Sequence, residues 1–557
     1  MMIGTHDVVD CPGVSGEAPV KSHCLPFSQI PHTTRLFLDF IDDFPKVQQF
    51  YSRPPQFHEW FKDEAALIHY EPERRERVAA ILARQNRNWG ASAKTQANIA
   101  RFRAGAAVIV TGQQVGLFGG PLFSLFKALS AVKLADEATA GGVHTIPVFW
   151  LATQDHDLEE VNHTSLPGPD GQLVKIVAPS HGVTDAPVST VQFGAEILPI
   201  VQESVQLLGE SEAANWLREA YRPGETLGTA FARLFSRLFA AWGVVLLDSS
   251  DPELNTVAEP IYHAAIESAA QLDDALLARG KELEAAGYHQ QVKVTPSSTL
   301  LFTLKDGARI PVHRRTNGNS HEFLIGDEKL SKIELQRRIS AAPEKFSANV
   351  LLRPVKQDYL LPTLAYTGGA AEVAYFAQAA VVYKALLGRL TPVLPRFSAT
   401  LVEPKQQRLL EKYRLSLPDL FHGADTLREI LAQRTLAPDL QAAFEKAQTA
   451  LENSLSAIRD SLSRLDVTLV EACNHAAAKM HHQLEQLRSK AARAELRQSE
   501  VLARHAEQLS NSLYPEKSLQ EREIAGIYFV SRYGENVLMR LYEVVNTDCH
   551  DHQVIEL

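Results

Sequence analysis

Short continuous runs of apolar residues alternate with longer helical patterns over the first two-thirds of the chain. Runs at 106–110, 146–151 and 243–248 have the length of buried strands, and apolar residues at three- and four-residue spacing surround them. The same strand-then-helix order returns at 360–387, and a mainly helical region interrupted by prolines precedes the first run, at 35–103. This alternation predicts an α/β fold with a parallel, doubly wound sheet.

Two stretches break this pattern, near 165–195 and near 290–330. Both contain short alternating runs separated by Gly, Pro, Asp and Asn, which is typical of small β-rich insertions. We therefore expect a core at 31–400 that carries two insertions beside its main sheet.

From about residue 400 the apolar positions change to a heptad pattern, and Gly and Pro are absent from 440–514. One helix of that extent would be on the order of 100 Å long, so its apolar stripe needs a partner, either residues 404–434 folded back or another subunit. We expect both, with a homodimer; the alternative is a bundle within one chain. The predicted division is a disordered lead at 1–30, a coiled-coil domain at 401–515, and a segment at 516–557 that returns to the core. The heptad positions are Leu451, Leu455, Ile458, Leu462, Leu465, Leu469, Ala472 and Ala476.

A glycine-rich loop follows the first predicted strand, and Pro121 then opens a helix. A strand, a glycine loop and a helix N-terminus together can present backbone N–H groups to an anionic ligand. The glycine spacing fits neither the dinucleotide-binding pattern nor the P-loop. The alternative is a turn whose glycines only allow the helix and strand to pack closely. The glycines are Gly112, Gly116, Gly119 and Gly120.

A polar cluster comes directly after the second predicted strand, where parallel sheets place their sites. Asp155, His156 and Asp157 are followed closely by Asn162 and His163. These side chains could hold a divalent metal, position an amine or transfer protons. The alternative is that an aspartate caps a helix while His156 is exposed.

A third cluster surrounds the last predicted strand of the core. Arg353 suits bidentate binding of a carboxylate or phosphate, and Asp358 follows it on the same segment. Gly368 and Gly369 precede a helix that contains Glu372, which offers a second backbone site for an anion. The alternative is an Arg353–Asp358 surface pair beside an ordinary turn.

Composition limits the partners and the compartment. The net charge of −10 gives no basic face for nucleic acid, and no apolar run approaches the roughly 20 residues that span a bilayer. The chain starts without the features of a signal peptide. Four widely spaced cysteines without a C-x-x-C pair argue against a disulfide framework or a thiolate zinc site, so we expect a cytoplasmic protein. The polar run at 549–552 is interpreted as incidental.

With these segments in hand, the chain resembles the cysteine-adding enzymes of bacillithiol biosynthesis from about residue 30 onward. The resemblance implies a Rossmann-like core related in shape to nucleotidyltransferases and class I aminoacyl-tRNA synthetases. It also implies two connecting-peptide insertions and a coiled-coil arm that pairs subunits. The segments that carry it are VTGQQVGLFGGPLFSLFKA, PVFWLATQDHDLEEVNH, LLRPVKQDYLLPTLAYTGGAAEVAYFAQ, IYFVSRYGENVLMRLY and the terminal HQVIEL.

The reaction implied by the resemblance joins the carboxyl group of cysteine to the amine of glucosaminyl malate. A carboxylate does not condense with an amine in water, so activation is needed, and we expect ATP to supply it through an acyl adenylate or an acyl phosphate. Whether Mg²⁺ takes part is left open. Two rival hypotheses are another nucleotide-dependent transferase or ligase on the same fold, and a coiled-coil scaffold without catalysis.

The predicted site residues fall into two groups. Asp155, His156 and Asp157 are the predicted catalytic residues, and Arg353 and Asp358 would hold the carboxylate and ammonium of cysteine. The glycine loop and its helix would bind the nucleotide phosphate or the malate carboxylates. The predicted binding residues are Thr111, Gly112, Gln113, Gln114, Gly116, Gly119, Gly120, Pro121, Asn162, His163, Arg353, Asp358, Gly368, Gly369 and Glu372.

Overall fold

A computed structural model describes residues 21–179, 183–317, 320–496 and 500–557. The strands are β1 (Ser22–Leu25), β2 (Ala107–Gln113), β3 (Thr145–Leu151), β4 (His163–Pro167), β5 (Leu173–Val177), β6 (Val245–Asp248), β7 (Ser298–Lys305), β8 (Ala308–Asn317), β9 (Ser320–Ile325), β10 (Glu328–Ser331), β11 (Phe346–Ala348), β12 (Thr363–Gly368), β13 (Val393–Pro395), β14 (Ala399–Val402) and β15 (His552–Glu556).

Helices make up most of the remaining described chain. They are α1 (Arg35–Asp42), α2 (Phe61–Ala66), α3 (Pro72–Asn88), α4 (Ala93–Arg103), α5 (Phe123–Ala140), α6 (Leu158–Val161), α7 (Ile197–Leu208), α8 (Glu212–Ala220), α9 (Leu227–Leu238), α10 (Pro252–Glu267), α11 (Ala269–Ala285), α12 (Lys332–Ala341), α13 (Arg353–Leu360), α14 (Ala370–Leu386), α15 (Pro404–Tyr413), α16 (Leu417–Leu420), α17 (Ala424–Arg434), α18 (Pro438–Leu465), α19 (Thr468–Leu496), α20 (Glu500–Leu513), α21 (Gln520–Glu523), α22 (Gly526–Tyr533) and α23 (Asn536–Val544). None of these described helices is long and apolar enough to cross a membrane.

The chain divides into two compact units. The first holds the described residues up to Pro167, Val174–Ala399 and Glu521–Gln553, and the second holds Gly168–Leu173, Thr400–Gln520 and Val554–Leu557. Part of the predicted disordered lead, residues 1–20, lies outside the described residues. The expectation of disorder is wrong for 22–30, because β1 and a short turn of helix form there with Leu25 and Ile30 buried.

The central sheet of the first unit is parallel, with strand order β13-β12-β2-β3-β6. Along the chain, β3 and β6 follow β2 on one side, and β12 and β13 then fill the other side. This reversal at β2 is the switch point of a Rossmann-like fold, and ligands bind such sheets in the crevice at the carboxyl ends of the strands beside it. The predicted α/β fold class and Rossmann-like core are confirmed.

The two β-rich insertions are separate small sheets. The strands β4 and β5 form a two-stranded sheet, and β10-β9-β8-β7-β11 form an antiparallel sheet. The second insertion extends further than predicted, because β11 at Phe346–Ala348 pairs back with β7. That pairing brings the residues after β11 to the start of α13, which matters for the site.

The second unit contains a helical hairpin where one long helix was predicted. The helices α18 and α19 are separated by Asp466 and Val467 and pack against each other, with Arg459 Nε donating to Asn474 Oδ1 at 3.1 Å. The single-helix prediction is wrong because Asp466 adopts an extended backbone and accepts hydrogen bonds from the Thr468 amide and hydroxyl. The helix α17 packs against α19 and α20, as expected for a partner from 404–434.

Candidate active site

A cavity of about 650 Å³ opens at the carboxyl ends of the central strands, on the switch-point side of the first unit. The ends of β2, β3 and β12, the start of α14 and the segment after β11 line it. The charged side chains among its described lining are cationic Lys127, Arg309, Arg353, Lys356, Arg396 and Arg522, and acidic Asp155, Glu160 and Glu372. The excess of cations favours an anionic ligand.

Lys127 on α5 connects β2 to α14. Its buried ammonium donates to the Gly112 carbonyl at 2.7 Å and to Gln113 Oε1 at 2.8 Å, and it pairs with Glu372 Oε2 at 2.5 Å. Burial lowers the pKa of Lys127 to about 8, against the charge of Glu372. Sequence reasoning missed this residue because a single lysine on a predicted amphipathic helix carries no local sign that the fold buries it beside the ends of β2 and α14.

Glu372 caps the helix whose start faces the cavity. Its carboxylate accepts hydrogen bonds from the Gly369 amide at 2.8 Å and from the Tyr366 hydroxyl. Burial works against ionisation, but the neighbouring Lys127 ammonium holds the pKa of Glu372 below its usual value. The Gly369 amide is therefore taken by Glu372, and the next residues, Ala370 and Ala371, line the cavity at the helix start.

Arg353 reaches the cavity from the first turn of α13. Its guanidinium donates to the Tyr375 hydroxyl at 2.5 Å and to Gln357 Oε1 at 3.3 Å, and it lies 5.8 Å from the centre of the Tyr366 ring. Burial lowers the pKa of Arg353, but the hydroxyls of Tyr375 and Tyr366 and the carboxylate of Glu372 raise it above its usual value. The site therefore holds a permanent cation here.

The structure does not place Asp358 beside Arg353. Arg353 and Asp358 are five residues apart, which corresponds to a rotation of about 500° around the helix axis. Because this is not a whole number of turns, the two side chains leave α13 on different faces. Asp358 accepts hydrogen bonds from the Tyr383 hydroxyl and from Gln357 Nε2, and lines a separate cavity of about 450 Å³. The prediction that Arg353 and Asp358 bind one cysteine molecule together is therefore wrong. The alternative, a surface ion pair between the two residues, is wrong as well.

Asp155 is the member of the predicted catalytic cluster that lines the cavity. Its carboxylate accepts from Gln114 Nε2 at 2.9 Å and from the His156 amide at 2.8 Å, and Arg309 Nη1 lies 3.5 Å away. About a third of its side chain is exposed. An ionised carboxylate held in this way is suited to bind an ammonium group and to accept a proton.

His156 and Asp157 have other surroundings. Arg309 Nη1 lies 3.1 Å from His156 Nδ1, and a guanidinium only donates, so Nδ1 is the acceptor and carries no proton. That assignment excludes a charged pair between Nδ1 and the Asp155 carboxylate 3.5 Å away. Asp157 is exposed and accepts the Glu160 amide at 3.2 Å as the cap of α6, so the capping alternative holds for Asp157.

Asn162 and His163 lie away from the main cavity. The Asn162 carbonyl accepts the Ala178 amide at 2.7 Å, which joins α6 to β5. His163 Nδ1 lies 2.9 Å from the Glu159 carbonyl, and its ring lines a smaller cavity of about 300 Å³ together with Gln113 and Gln114.

Lys356 is the most deeply buried charge of the site and was also missed. Its ammonium donates to Asn255 Oδ1 at 2.7 Å and to Gln154 Oε1 at 3.1 Å, and the whole side chain is buried at the cavity wall. Two causes lower the pKa of Lys356 to about 7: burial, which has the larger effect, and the positive charge of Arg309, which has the smaller one. Beside it, the buried indole N–H of Trp150 has no hydrogen-bond partner among the described residues.

Two arginines from distant parts of the first unit complete the cavity wall. Arg309 donates to Ser347 Oγ at 3.0 Å and to the Ala348 carbonyl at 2.9 Å, with its guanidinium 3.9 Å from the centre of the Phe302 ring. Arg396 forms a two-pronged pair with Glu521, at 2.6 and 3.1 Å. Neither arginine belongs to a sequence motif that would indicate a site, because only the tertiary fold brings these two residues to the cavity.

The glycine loop is closed to an anion in this structure. The amides of Gly116, Gly119 and Gly120 donate to the carbonyls of Gln114, Gly116 and Leu117 at 3.0, 3.2 and 3.0 Å. Gly119 and Gly120 have φ of +89° and +71°, which favours glycine. The anion-cradle prediction is therefore wrong for these amides, and the packing alternative describes them.

Other residues of the predicted loop site have divided roles. Thr111 is buried and its hydroxyl donates to the Thr367 carbonyl at 2.8 Å, which ties β2 to β12. Gly112, Gln113 and Gln114 reach the main cavity, whereas Pro121 lines only the smaller one. Gly368 borders Glu372 so closely that a Cβ there would lie 2.8 Å from the Glu372 Cβ.

The packing role of the loop predicts a stability difference between two glycines. A Cβ at Gly116 would lie 2.9 Å from the Gly120 Cα, whereas at Gly369 its nearest neighbour is 3.6 Å away. We expect Gly116→Ala to cost about 1–3 kcal/mol in the free energy of unfolding, and Gly369→Ala to cost less. Urea unfolding followed by circular dichroism checks this, and equal stability of the two variants would contradict it.

The described residues contain no group of three or more His, Cys, Asp and Glu side chains placed to hold a metal ion. The charged groups that line the cavity are mostly cations, and two of its three lining carboxylates, Asp155 and Glu372, accept hydrogen bonds from neighbouring groups.

Comparison with known proteins assigns the family. The model for the bacillithiol biosynthesis BshC N-terminal Rossmann-like domain matches residues 20–397, and that for the BshC C-terminal coiled-coil domain matches 399–557. The chain belongs to the BshC family.

Curated relatives extend over nearly the whole chain. A protein of Koribacter versatilis named "Putative cysteine ligase BshC" is 50% identical over 96% of this chain and 99% of its own length. Proteins of the same name from Solibacter usitatus and Salinibacter ruber are 36% and 33% identical, over 96% and 93% of this chain and 99% and 96% of their own lengths. The resemblance found in the sequence is confirmed, and with it the membership of this chain in a family of ligases.

Proposed function

We propose that this protein joins the carboxyl group of L-cysteine to the amine of glucosaminyl malate, as the last step of bacillithiol biosynthesis, with ATP activating the carboxyl group. The observation that carries the proposal is the cation-rich cavity at the switch point of the Rossmann-like sheet. Malate contributes two carboxylates, cysteine contributes one, and ATP contributes a triphosphate. Each substrate therefore carries negative charge, which the cationic lining of the cavity favours. Family membership supports the same reaction class.

We assign two groups of lining cations to different anions. Arg353, whose guanidinium contacts two tyrosines, lines the cavity together with the start of α14, and this group suits the carboxyl group under activation and the phosphate it attacks. Lys356 and Arg309 form the second group, with Lys356 beside the indole of Trp150, whose N–H has no partner among the described residues. This group suits the carboxylates of malate.

Asp155 is placed to serve the amine. The amine must lose a proton before it attacks, and the exposed face of the Asp155 carboxylate is an acceptor within the cavity. The amine nitrogen forms a bond to the activated carboxyl carbon, the bond from that carbon to the phosphate oxygen breaks, and Asp155 takes the proton. His156, through Arg309, holds this carboxylate in position.

The nucleotide and a metal ion remain parts of the proposal. The cavity has a volume in the range of small-molecule sites, and its cations fit phosphate oxygens. Mg²⁺ usually enters such sites with the phosphates and one or two carboxylates, and Asp155 and Glu160 are the lining carboxylates not paired with lysine. An acyl adenylate and an acyl phosphate are both compatible with this wall.

One assay tests the reaction. The purified full chain is incubated with ATP, cysteine and glucosaminyl malate, and mass spectrometry follows formation of the amide product. Appearance of AMP and pyrophosphate indicates an adenylate, whereas ADP and phosphate indicate an acyl phosphate. No product with these substrates but turnover with another amine would favour a different ligase, and calorimetry showing no binding of any substrate would favour a scaffold.

We further propose that the helical hairpin pairs two copies of the chain. Ile458 and Leu465 of the predicted heptad stripe remain 50% and 77% exposed, and Val467 between the helices is 74% exposed. Light scattering is expected to give twice the chain mass of 61.6 kDa, and Ile458→Glu with Leu465→Glu to give the single mass. Ala457→Glu, on an exposed position of α18 outside the stripe, is the control, and a wild-type monomer would refute the proposal.

We also propose that the reaction takes place in the cytoplasm. The expected cofactor ATP and the substrate cysteine support it. Fractionation of cells that express the protein with an epitope tag tests it, and recovery in the secreted fraction would contradict it.

A further inference from the structure

Two cysteines that are 525 positions apart in sequence meet in the first unit. The Sγ atoms of Cys24 and Cys549 lie 3.1 Å apart, and neither residue is in a disulfide. Cys24 is exposed and Cys549 is half-buried, so a small molecule can reach the pair. The widely spaced cysteines gave no sign of this in the sequence, and the polar run at 549–552 was interpreted as incidental.

Neighbouring contacts hold the two segments together. The Phe27 amide donates to the Asp551 carboxylate, and the Phe27 ring lies 6.2 Å from the ring of His552 in an edge-to-face arrangement. Leu25, next to Cys24, is buried. Packing on both sides of the pair therefore brings the two thiols together.

We propose that Cys24 and Cys549 form a thiol–disulfide exchange site that takes low-molecular-weight disulfides. In the first step the Cys549 thiolate attacks one sulfur of the small disulfide, forming a mixed disulfide and releasing one thiolate. In the second step the Cys24 sulfur, after its proton leaves to solvent, attacks the Cys549 sulfur and displaces the second thiolate. Two protein thiols are oxidised to one disulfide, and one small disulfide is reduced to two thiols.

The surroundings assign the roles of the two sulfurs. The hydrogen bond between the two sulfurs, in which either thiol can be the donor, and the Asp551 amide lower the pKa of Cys549, against burial and the Asp551 charge. The same hydrogen bond raises the pKa of Cys24, and burial raises it further. Because the thiolate is the nucleophile in exchange, Cys549 attacks first and Cys24 resolves the mixed disulfide. No described cluster of metal-ligating side chains competes for these sulfurs.

The test uses the full-length reduced protein and cystine as the small disulfide. We expect loss of two of the four titratable thiols and, after proteolysis without reductant, one cross-linked peptide that joins Cys24 to Cys549. A disulfide that closes a loop of this length restricts the unfolded chain, so oxidation should also raise the Tm by several degrees.

Three single variants separate the roles. Cys24→Ser should stop at a mixed disulfide on Cys549, Cys549→Ser should remain largely unmodified, and Cys473→Ser, which removes the buried cysteine of the hairpin, should still form the Cys24–Cys549 bond. Retention of all four thiols by the wild type would overturn the proposal, as would cross-links only between separate chains. The assay needs no ligase turnover, so its failure is distinguishable from failure of the proposed function.

Discussion

Lys356→Met is expected to lower kcat/KM for the dicarboxylate amine by roughly 10²–10³-fold, the usual loss when a preorganised charge is removed from an active site. Lys356 is fully buried at the cavity wall, and its two hydrogen bonds, to Asn255 and Gln154, fix the ammonium in place. Methionine fills a similar volume without the charge, so the variant isolates the electrostatic contribution.

The same variant should not unfold the protein. Burial lowers the pKa of Lys356 from 10.5 to about 7, so the folded state is charged only at a cost. Between those two values the unfolded chain binds a proton that the folded chain does not, and this group makes the wild type more stable as pH rises through that window. Thermal unfolding of Lys356→Met should give an equal or higher Tm, with a weaker rise toward alkaline pH.

The pH dependence of substrate binding gives a second readout. Because the ammonium loses its charge above about pH 7 in the free enzyme, KM for the dicarboxylate substrate should rise between about pH 6 and about pH 8 in the wild type and stay flat in Lys356→Met. Lys384→Met, at an exposed lysine of α14, is the matched control. Unchanged kinetics in Lys356→Met, or the same loss in Lys384→Met, would contradict the assigned role.

Asp155→Asn is expected to lower kcat by roughly 10²–10⁴-fold, the range for removal of a general base. Asparagine keeps the shape and an oxygen that can accept from Gln114 or from the His156 amide, but it cannot take a proton from the attacking amine. The carboxylate is partly exposed, so the Tm should change little. Single-turnover kinetics with a preformed ATP and cysteine mixture measures the chemical step directly.

Asp157→Asn is the matched control for this prediction. Asp157 is exposed and caps α6, and asparagine caps a helix about as well as aspartate. We expect its kinetics and Tm to match the wild type. An unchanged rate in Asp155→Asn, or an equal loss of rate in Asp157→Asn, would contradict the role of Asp155 as the proton acceptor.

The glycine loop shows which structural features a local sequence pattern can predict and which it cannot. Its sequence correctly indicates a strand, a tight turn and a helix, because positive φ and close packing require glycine at defined positions. The same pattern also fits an anion cradle. The choice depends on where the loop amides donate, and they donate to carbonyls within the loop, which no spacing rule reveals.

The helical region shows a different limit. The heptads predict helices that pack together, and the helices are present. The break at Asp466 and Val467 carries neither Gly nor Pro, so periodicity alone continues through it. Folding back is favoured because α18 and α19 can then cover part of each other's apolar stripe, an energy that depends on a partner helix rather than on local propensity.

By itself, the sequence determined the α/β class, four of the five strands of the central sheet (β2, β3, β6 and β12) and the family, and it predicted a site after β3 and β12. Hydrophobic periodicity and turn residues are local signals, and they sufficed for these. The tertiary structure decided which charges share the cavity: it joined Lys127, Arg309, Lys356 and Arg396 to Asp155 and Arg353, and removed Asp358. The physical reason is that burial and pairing, which set the pKa of each group, arise only when distant segments pack against one another.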